Sequence, residues 1–123
     1  SYDDCNFFVE ADGNRYLMKC YNGVDSSNPQ IIEAQTAMMD LLARNGVQTS
    51  RSIKCLQTGE DIAWPHLRVF DKSEQRCAVR LCHWVDGKPL VGRATPNILV
   101  EAGKLLGKIH QVFDSQSFDH PGL

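Results

Sequence analysis

A lysine in the middle of an apolar strand constrains this chain more than any other feature. Lys19 lies in segment 16–21, YLMKCY, whose aromatic and apolar residues are typical of a strand. A charge in such a strand is costly unless a carboxylate or an anionic ligand lies near it. The helix predicted after this strand carries Glu33, so one interpretation is a Lys19–Glu33 pair that faces an anion. A solvated lysine on an edge strand is the other interpretation.

Two strands and a helix are predicted in the first half of the chain. The turn DGN at 12–14 separates two apolar runs and predicts an antiparallel hairpin. Asn28 as N-cap and Pro29 at the first helical position predict a helix over 29–45. Glu33 lies at the flank of the apolar stripe of this helix, from which it could reach the sheet. Alternatively, it is only an acidic residue that the helix dipole favours near the N-terminal end.

The second half is predicted to contain shorter strands and one more helix. Segment 77–85, CAVRLCHWV, has the strongest β character, and Thr95 with Pro96 predicts the start of an amphipathic helix. This order predicts an α+β fold, in which a small antiparallel sheet with one packed helix is followed by a second amphipathic helix. The remaining predictions are a loop at 22–28, strands at 52–56, 60–63 and 66–70, and a polar linker at 114–123.

Composition excludes several classes of function. A chain of 123 residues predicts one domain, and a net charge of −2 creates no field that would attract nucleic acid or an anionic membrane. No apolar run reaches the roughly 18 residues of a transmembrane helix, and the polar first residues predict no signal peptide. Five cysteines without a CxxC pair, and four histidines without ligand spacing, predict reduced thiols in a cytoplasmic protein and no metal held by this chain.

Four segments together resemble the aminoglycoside phosphotransferase-like family of small-molecule kinases, and within it the hydroxylysine kinase branch. They are SYDDCNF at 1–7, YLMK at 16–19, NPQIIEAQ at 28–35 and VRLCHWVDGKP at 79–89. The resemblance covers nearly the whole chain. It implies that residues 1–91 form a kinase-like N-terminal lobe with a hinge at about 82–88. Residues 92–123 would then be a linker helix and tail that enter a C-terminal lobe.

The resemblance also implies a nucleotide site that binds GTP or ATP with Mg²⁺. Lys19 would contact the α- and β-phosphates and Glu33 would hold it in place. An N-terminal loop would cover the phosphates, although its two aspartates could instead order the loop or lie near a metal–nucleotide complex. Backbone groups of the hinge would bind the purine edge, and the hinge tryptophan would either cover the base or only pack. The loop residues are Tyr2, Asp3, Asp4 and Asn6, and the hinge residues are Cys82, His83, Trp84 and Val85.

The family's catalytic loop, a His-Gly-Asp sequence with its Asn and a metal-binding Asp, is not found in this chain. His110 precedes Gln111 and His120 precedes Pro121, so neither histidine begins such a loop. The expectation is therefore a nucleotide-binding lobe that is inactive alone and has no catalytic residue of its own. In the whole protein it would serve phosphorylation of a hydroxyl group on an amino-acid or aminoglycoside-like substrate, and the metal ligands would lie in the C-terminal lobe.

Two other hypotheses remain open. The chain could be a non-catalytic interaction or regulatory module that keeps the fold of the lobe, either fused to another enzyme or self-associating through uncovered apolar surface. It could also be an unrelated α+β domain in which the lysine and the glutamate coincide by chance.

Overall fold

A hairpin opens the part of the chain that the computed structural model describes, which comprises residues 3–68 and 73–123. Strands β1 (Cys5–Ala11) and β2 (Asn14–Cys20) pair antiparallel across the predicted turn. Asp12 and Gly13 have φ values of 50° and 76°, which suit the tight turns that follow the twist of a hairpin. The predicted hairpin is confirmed.

Among residues 3–68 and 73–123 there are three helices, and one of them was not predicted. Helix α1 (Gly23–Ser26) lies where a loop was expected, and the Asn22 side chain caps it by accepting from the Asp25 N–H. Helix α2 (Pro29–Arg44) begins at the predicted proline, although the Asn28 side chain makes no capping hydrogen bond.

The third helix, α3 (Pro96–Ser115), begins as predicted. Its N-cap Thr95 accepts a hydrogen bond from the N–H of Ile98 at 3.3 Å. No helix in the described part of the chain is long and apolar enough to cross a membrane.

Four antiparallel strands form the main sheet. The short β3 (Ser52–Ile53) and the longer β6 (Val79–His83) join the hairpin in the order β1-β2-β6-β3. Strands β4 (His66–Leu67) and β5 (Gln75–Arg76) form a separate two-stranded sheet. With α2 packed on the main sheet, the predicted α+β class is confirmed.

The strands of the second half are shorter than predicted because some of their backbone N–H groups bond to residues outside the sheet. The Cys77 N–H bonds to the carbonyl of Pro65 and the Ala78 N–H to the hydroxyl of Ser26, so β6 is a five-residue strand within 77–85. Segment 60–63 contributes only an isolated bridge from Ala63. Residues 69 and 70, at the end of the strand predicted over 66–70, lie outside the described residues.

Helix α2 covers one face of the sheet and forms the core with it. Tyr21, Ile32, Ile62 and Ala78 are all buried in one cluster, and Trp64 packs against it. Tyr21 follows β2 and Ile32 lies on α2, so burial of these side chains is what holds the helix against the sheet.

Helix α3 leaves much of its apolar surface exposed, whereas the tail after it packs against α2. Leu99, Val100, Leu105 and Leu106 are each more than half exposed along α3, so its apolar surface has little cover among the described residues. The tail, predicted as a polar linker, folds back instead: Gly122 lies against the backbone carbonyl of Gln30 in the first turn of α2.

Replacing Gly122 by Ala tests this docking of the tail. The new Cβ would overlap the carbonyl oxygen of Gln30 and press on the Cβ of Ala34. We expect the free energy of unfolding to fall by about 1–3 kcal/mol, as in other overpacked sites. Gly107→Ala in α3 is the control, because a Cβ there meets nothing within 4 Å and Ala favours the helix by about 0.5–1 kcal/mol. Urea unfolding measures both variants. Equal stabilities of Gly122→Ala and the unsubstituted protein would contradict the docked tail.

Candidate functional site

Lys19 lies on the face of the sheet that carries helix α2. It pairs directly with Asn6 on β1 and with Arg80 on β6. Because directly opposite residues in an antiparallel sheet share a face, these three side chains form one row across it. Two residues further along the strands, Phe8, Leu17 and Cys82 form the next row on the same face.

The carboxylate partner of Lys19 is Asp4. The Lys19 ammonium lies 2.9 Å from Asp4 Oδ2, and the two side chains are 32% and 19% exposed. The ammonium also lies 4.8 Å from the centroid of the Tyr21 ring, within the range of a cation–π contact. An acidic partner for the strand lysine was predicted, but it comes from the N-terminal loop and not from the helix.

Asp4 is fixed from a second side by the loop after β2. Its Oδ1 accepts hydrogen bonds from the backbone N–H of Asn22 at 2.8 Å and from the Asn22 side-chain amide at 3.1 Å. Partial burial alone would raise the pKa of Asp4, but the hydrogen bonds from Lys19 and Asn22 and the charge of Lys19 outweigh it and hold the pKa below its ordinary value. Asp4 therefore ties the N-terminal loop to both the lysine and the start of α1.

Glu33 does not contact Lys19 in the described structure. It is exposed on α2 and lines a separate pocket of about 450 Å³ between this helix and the segment around residues 59–64. Lys54 and Asp61, an ion pair at 3.2 Å, lie on the same pocket. The Lys19–Glu33 pair of the sequence interpretation is not formed, because the rotation of the helix directs Glu33 toward this pocket.

A functional candidate that the sequence reasoning missed is Arg80. Its side chain is 2% exposed, and its guanidinium donates to the carbonyl of Ile32 at 3.2 Å and to the hydroxyl of Thr36 at 2.8 Å, both on α2. It also donates to the hydroxyls of Tyr21 at 3.1 Å and Ser52 at 2.5 Å. The signal was present in the sequence, since an arginine between Val79 and Leu81 is as unusual in a strand as Lys19.

The predicted hinge residues divide between the two faces of the sheet. Cys82 is buried in the row beside Lys19, and burial raises the pKa of its thiol. His83 is exposed and lies on the opposite face, with its ring 6.0 Å from that of Tyr16. Val85 follows the end of β6 and is exposed.

Trp84 meets a second aromatic side chain that the sequence reasoning did not single out. Its ring lies 5.0 Å from that of Phe8 in an edge-to-face arrangement, and both rings remain substantially exposed. Beside them, Arg15 pairs with Asp86 through two contacts of 2.9 Å. Trp84 therefore packs and still presents a surface on the Lys19 side of the sheet.

Of the predicted site residues, the structure brings together Lys19, Asp4 and Asn6 at one end of this face, with Cys82 and Trp84 further along it. Asp3 is exposed next to Asp4, and Tyr2 lies outside the described residues. This face therefore carries a partly exposed cation, the two partly exposed aromatic side chains of Phe8 and Trp84, and the end of β6.

Comparison with known proteins decides the family. A model described as "Phosphotransferase enzyme family" matches residues 1–122. The chain belongs to this family. The resemblance inferred from the four segments is thereby confirmed.

Individual relatives agree with the family. The chain is 34% identical to a hydroxylysine kinase of Xenopus laevis over 128 residues, covering 98% of this chain and 33% of that protein. It is 31% identical to the hydroxylysine kinase of Danio rerio over 98% of this chain, and 31% identical to that of Bos taurus over 100% of this chain. In both cases the match covers 34% of the relative. The chain thus spans about a third of the length of the curated relatives it matches.

The contact between Lys19 and Asp4 predicts a specific response to acid. Because the pKa of Asp4 is lowered in the folded state, the contact adds stability above the ordinary carboxyl pKa of about 3.9, and the gain is lost as pH falls through the folded value. We expect Asp4→Asn to remove up to about 1 kcal/mol at pH 7, as for other partly exposed pairs, and to flatten the acid side of the stability profile.

Urea unfolding between pH 2.5 and 7 measures this effect. Lys19→Met, which removes the other partner, should flatten the same part of the profile. The double variant should add little to either single change, since both remove one interaction. Additive losses would show that Asp4 and Lys19 stabilise the fold independently.

Proposed function

We propose that this chain is the nucleotide-binding N-terminal lobe of a small-molecule phosphotransferase that uses GTP or ATP. The observation that carries the proposal is the partly exposed Lys19 ammonium, which is held on one sheet face by a carboxylate that a phosphate could replace. Lys19 would contact the α- and β-phosphates as a point charge. Asp4, and not Glu33, would hold the ammonium until a phosphate displaces it, because the Asp4 carboxylate occupies the anion position beside Lys19.

The N-terminal loop and the hinge would complete the nucleotide site. Asn6 lies directly opposite Lys19 and would donate to a phosphate oxygen, with Tyr2 and Asp3 in the loop that covers it. Backbone groups from Cys82 to Val85 would bind the purine edge. Phe8 and Trp84, in contact with each other and partly exposed, would provide the aromatic surface on which a base can stack.

Transfer of the γ-phosphoryl group would need residues that this chain does not supply. The described residues contain no group of three or more His, Cys, Asp or Glu side chains arranged to hold a metal ion. By the resemblance, the Mg²⁺ ligands and the catalytic aspartate would lie in a C-terminal lobe. Residues 1–91 would form the N-terminal lobe, and residues 92–123 would lead toward the C-terminal lobe. The chain alone would bind nucleotide weakly and transfer nothing.

The substrate proposal rests on the relatives, which are named hydroxylysine kinases. By extension, the whole protein would phosphorylate a hydroxyl group on an amino acid or an aminoglycoside-like compound. The five cysteines are all free, which is consistent with a reducing compartment such as the cytoplasm.

Replacing Lys19 by Met tests the phosphate role. A lost charged hydrogen bond of about 1.5–3 kcal/mol corresponds to an increase of about tenfold to a hundredfold in the Kd for GTP or ATP. Lys104→Met is the matched control, because this lysine is exposed on α3 and pairs with Glu101 on the same helix. Calorimetric titration at constant salt measures both variants. An unchanged Kd in Lys19→Met would rule out the phosphate role.

A second candidate function is a non-catalytic interaction module, favoured by the exposed apolar residues of α3. If this is the function, sedimentation should detect a stable dimer, and GTP or ATP should leave the melting temperature unchanged. Leu105→Lys on α3 should then dissociate the dimer. The nucleotide-binding lobe instead predicts a rise in melting temperature with nucleotide.

A further inference from the structure

A buried relay connects helix α2 to the surroundings of Lys19. The guanidinium of Arg80 donates hydrogen bonds to the carbonyl of Ile32 and the hydroxyl of Thr36, both on α2. Its Nε donates to the hydroxyl of Tyr21, and that hydroxyl donates in turn to the side-chain oxygen of Gln35 at 3.0 Å. Because the hydroxyl uses both its donor and its acceptor capacity, the Tyr21 ring is held from two directions.

Tyr21 lies between two cations. Its ring centroid is 4.8 Å from the Lys19 ammonium and 6.0 Å from the Arg80 guanidinium carbon, and the residue is 4% exposed. Lys19 is therefore bounded by the Tyr21 ring and by the Asp4 carboxylate. If a phosphate displaced Asp4, the ring would be the remaining contact that restricts the ammonium.

We propose that Arg80 and Tyr21 are positioning residues for Lys19, with Tyr21 in contact with the ammonium and Arg80 acting through Tyr21. The inference rests on the proposed nucleotide-binding function and names the residues that fix its principal cation. Neither residue touches the nucleotide. Together they keep Lys19 on the helix-bearing face while its carboxylate partner is exchanged for phosphate.

The charge distribution supports a role beyond packing. Arg80 is directly opposite Lys19 in the sheet and takes part in none of the ion pairs found among residues 3–68 and 73–123. Like charges in directly opposite positions destabilise a sheet. The Asp4 carboxylate offsets that repulsion while it contacts Lys19, so a ligand that displaces Asp4 would have to be anionic to keep the repulsion offset.

The test is a double-mutant cycle on the protein, with Tyr21→Phe and Lys19→Met as its two changes. Tyr21→Phe keeps the ring and removes only the hydroxyl relay, so the fold should persist. We expect it to raise the Kd for GTP or ATP, whichever binds more tightly, about threefold to tenfold. In the Lys19→Met background the same change should have no effect on the Kd, because the residue that it positions is absent.

Two further measurements separate positioning from a general structural role. The affinity for the matching nucleoside, which has no phosphate for Lys19 to contact, should be the same in Tyr21→Phe and the unsubstituted protein. Tyr16→Phe is the matched control, because Tyr16 lies on β2 but on the opposite face beside His83, and it should change neither affinity. Arg80→Lys keeps the positive charge but loses the planar guanidinium and its set of donors. It should raise the Kd for the triphosphate, as Tyr21→Phe does.

The outcomes distinguish the inference from the function on which it rests. If Lys19→Met leaves triphosphate binding unchanged, the nucleotide site itself is wrong and the inference fails with it. If Lys19→Met weakens binding but Tyr21→Phe does not, only the positioning role is overturned. An equal effect of Tyr21→Phe in both backgrounds, or an equal loss for nucleoside and triphosphate, also overturns it.

Discussion

The buried guanidinium of Arg80 is the interaction on which the arrangement of the sheet and its helix depends. It lies on β6, donates to Ser52 on β3, and reaches α2 through Ile32 and Thr36. A buried charge is costly unless its donors are satisfied, and these contacts satisfy them only when helix and sheet are correctly placed. The apolar cluster around Ile32 supplies burial, whereas the guanidinium makes the position of α2 specific, because its fork must meet acceptors in fixed directions.

This tether separates two tasks that a single lysine–glutamate pair performs in protein kinases. Arg80 connects the helix to the sheet, and Asp4 neutralises the strand lysine. Glu33 is therefore not needed for either contact, which explains why it can face a different pocket. Helix α2 and the N-terminal loop are thus held by different side chains, the helix by Arg80 and the loop by the contact between Asp4 and Lys19.

Local signals in the sequence were enough to predict the hairpin, α2 and α3, because each begins at a turn, a cap or a first-position proline within a few residues. The partner of Lys19 was not predictable in the same way. A helical wheel places Glu33 relative to the apolar stripe but does not determine how α2 rotates on the sheet, and that rotation depends on Arg80, far along the chain. The short β6 likewise depends on the hydroxyl of Ser26, which takes a backbone group that a longer strand would have used.

If Lys19 binds phosphate as proposed, the internal carboxylate of Asp4 would also affect which anions can bind there. Asp4 is held by the Asn22 backbone as well as by Lys19, so a competing anion must supply more interaction energy than one carboxylate does. A chain of phosphates carries several charges and acceptors, so it could accept hydrogen bonds from Lys19 and Asn6 at once. A small monoanion would only replace the contact that Asp4 makes with Lys19. Asp4 would in this way disfavour small anions without blocking a nucleotide triphosphate. Under the proposed function, selection would then arise from competition between the ligand and Asp4, a residue of the fold itself.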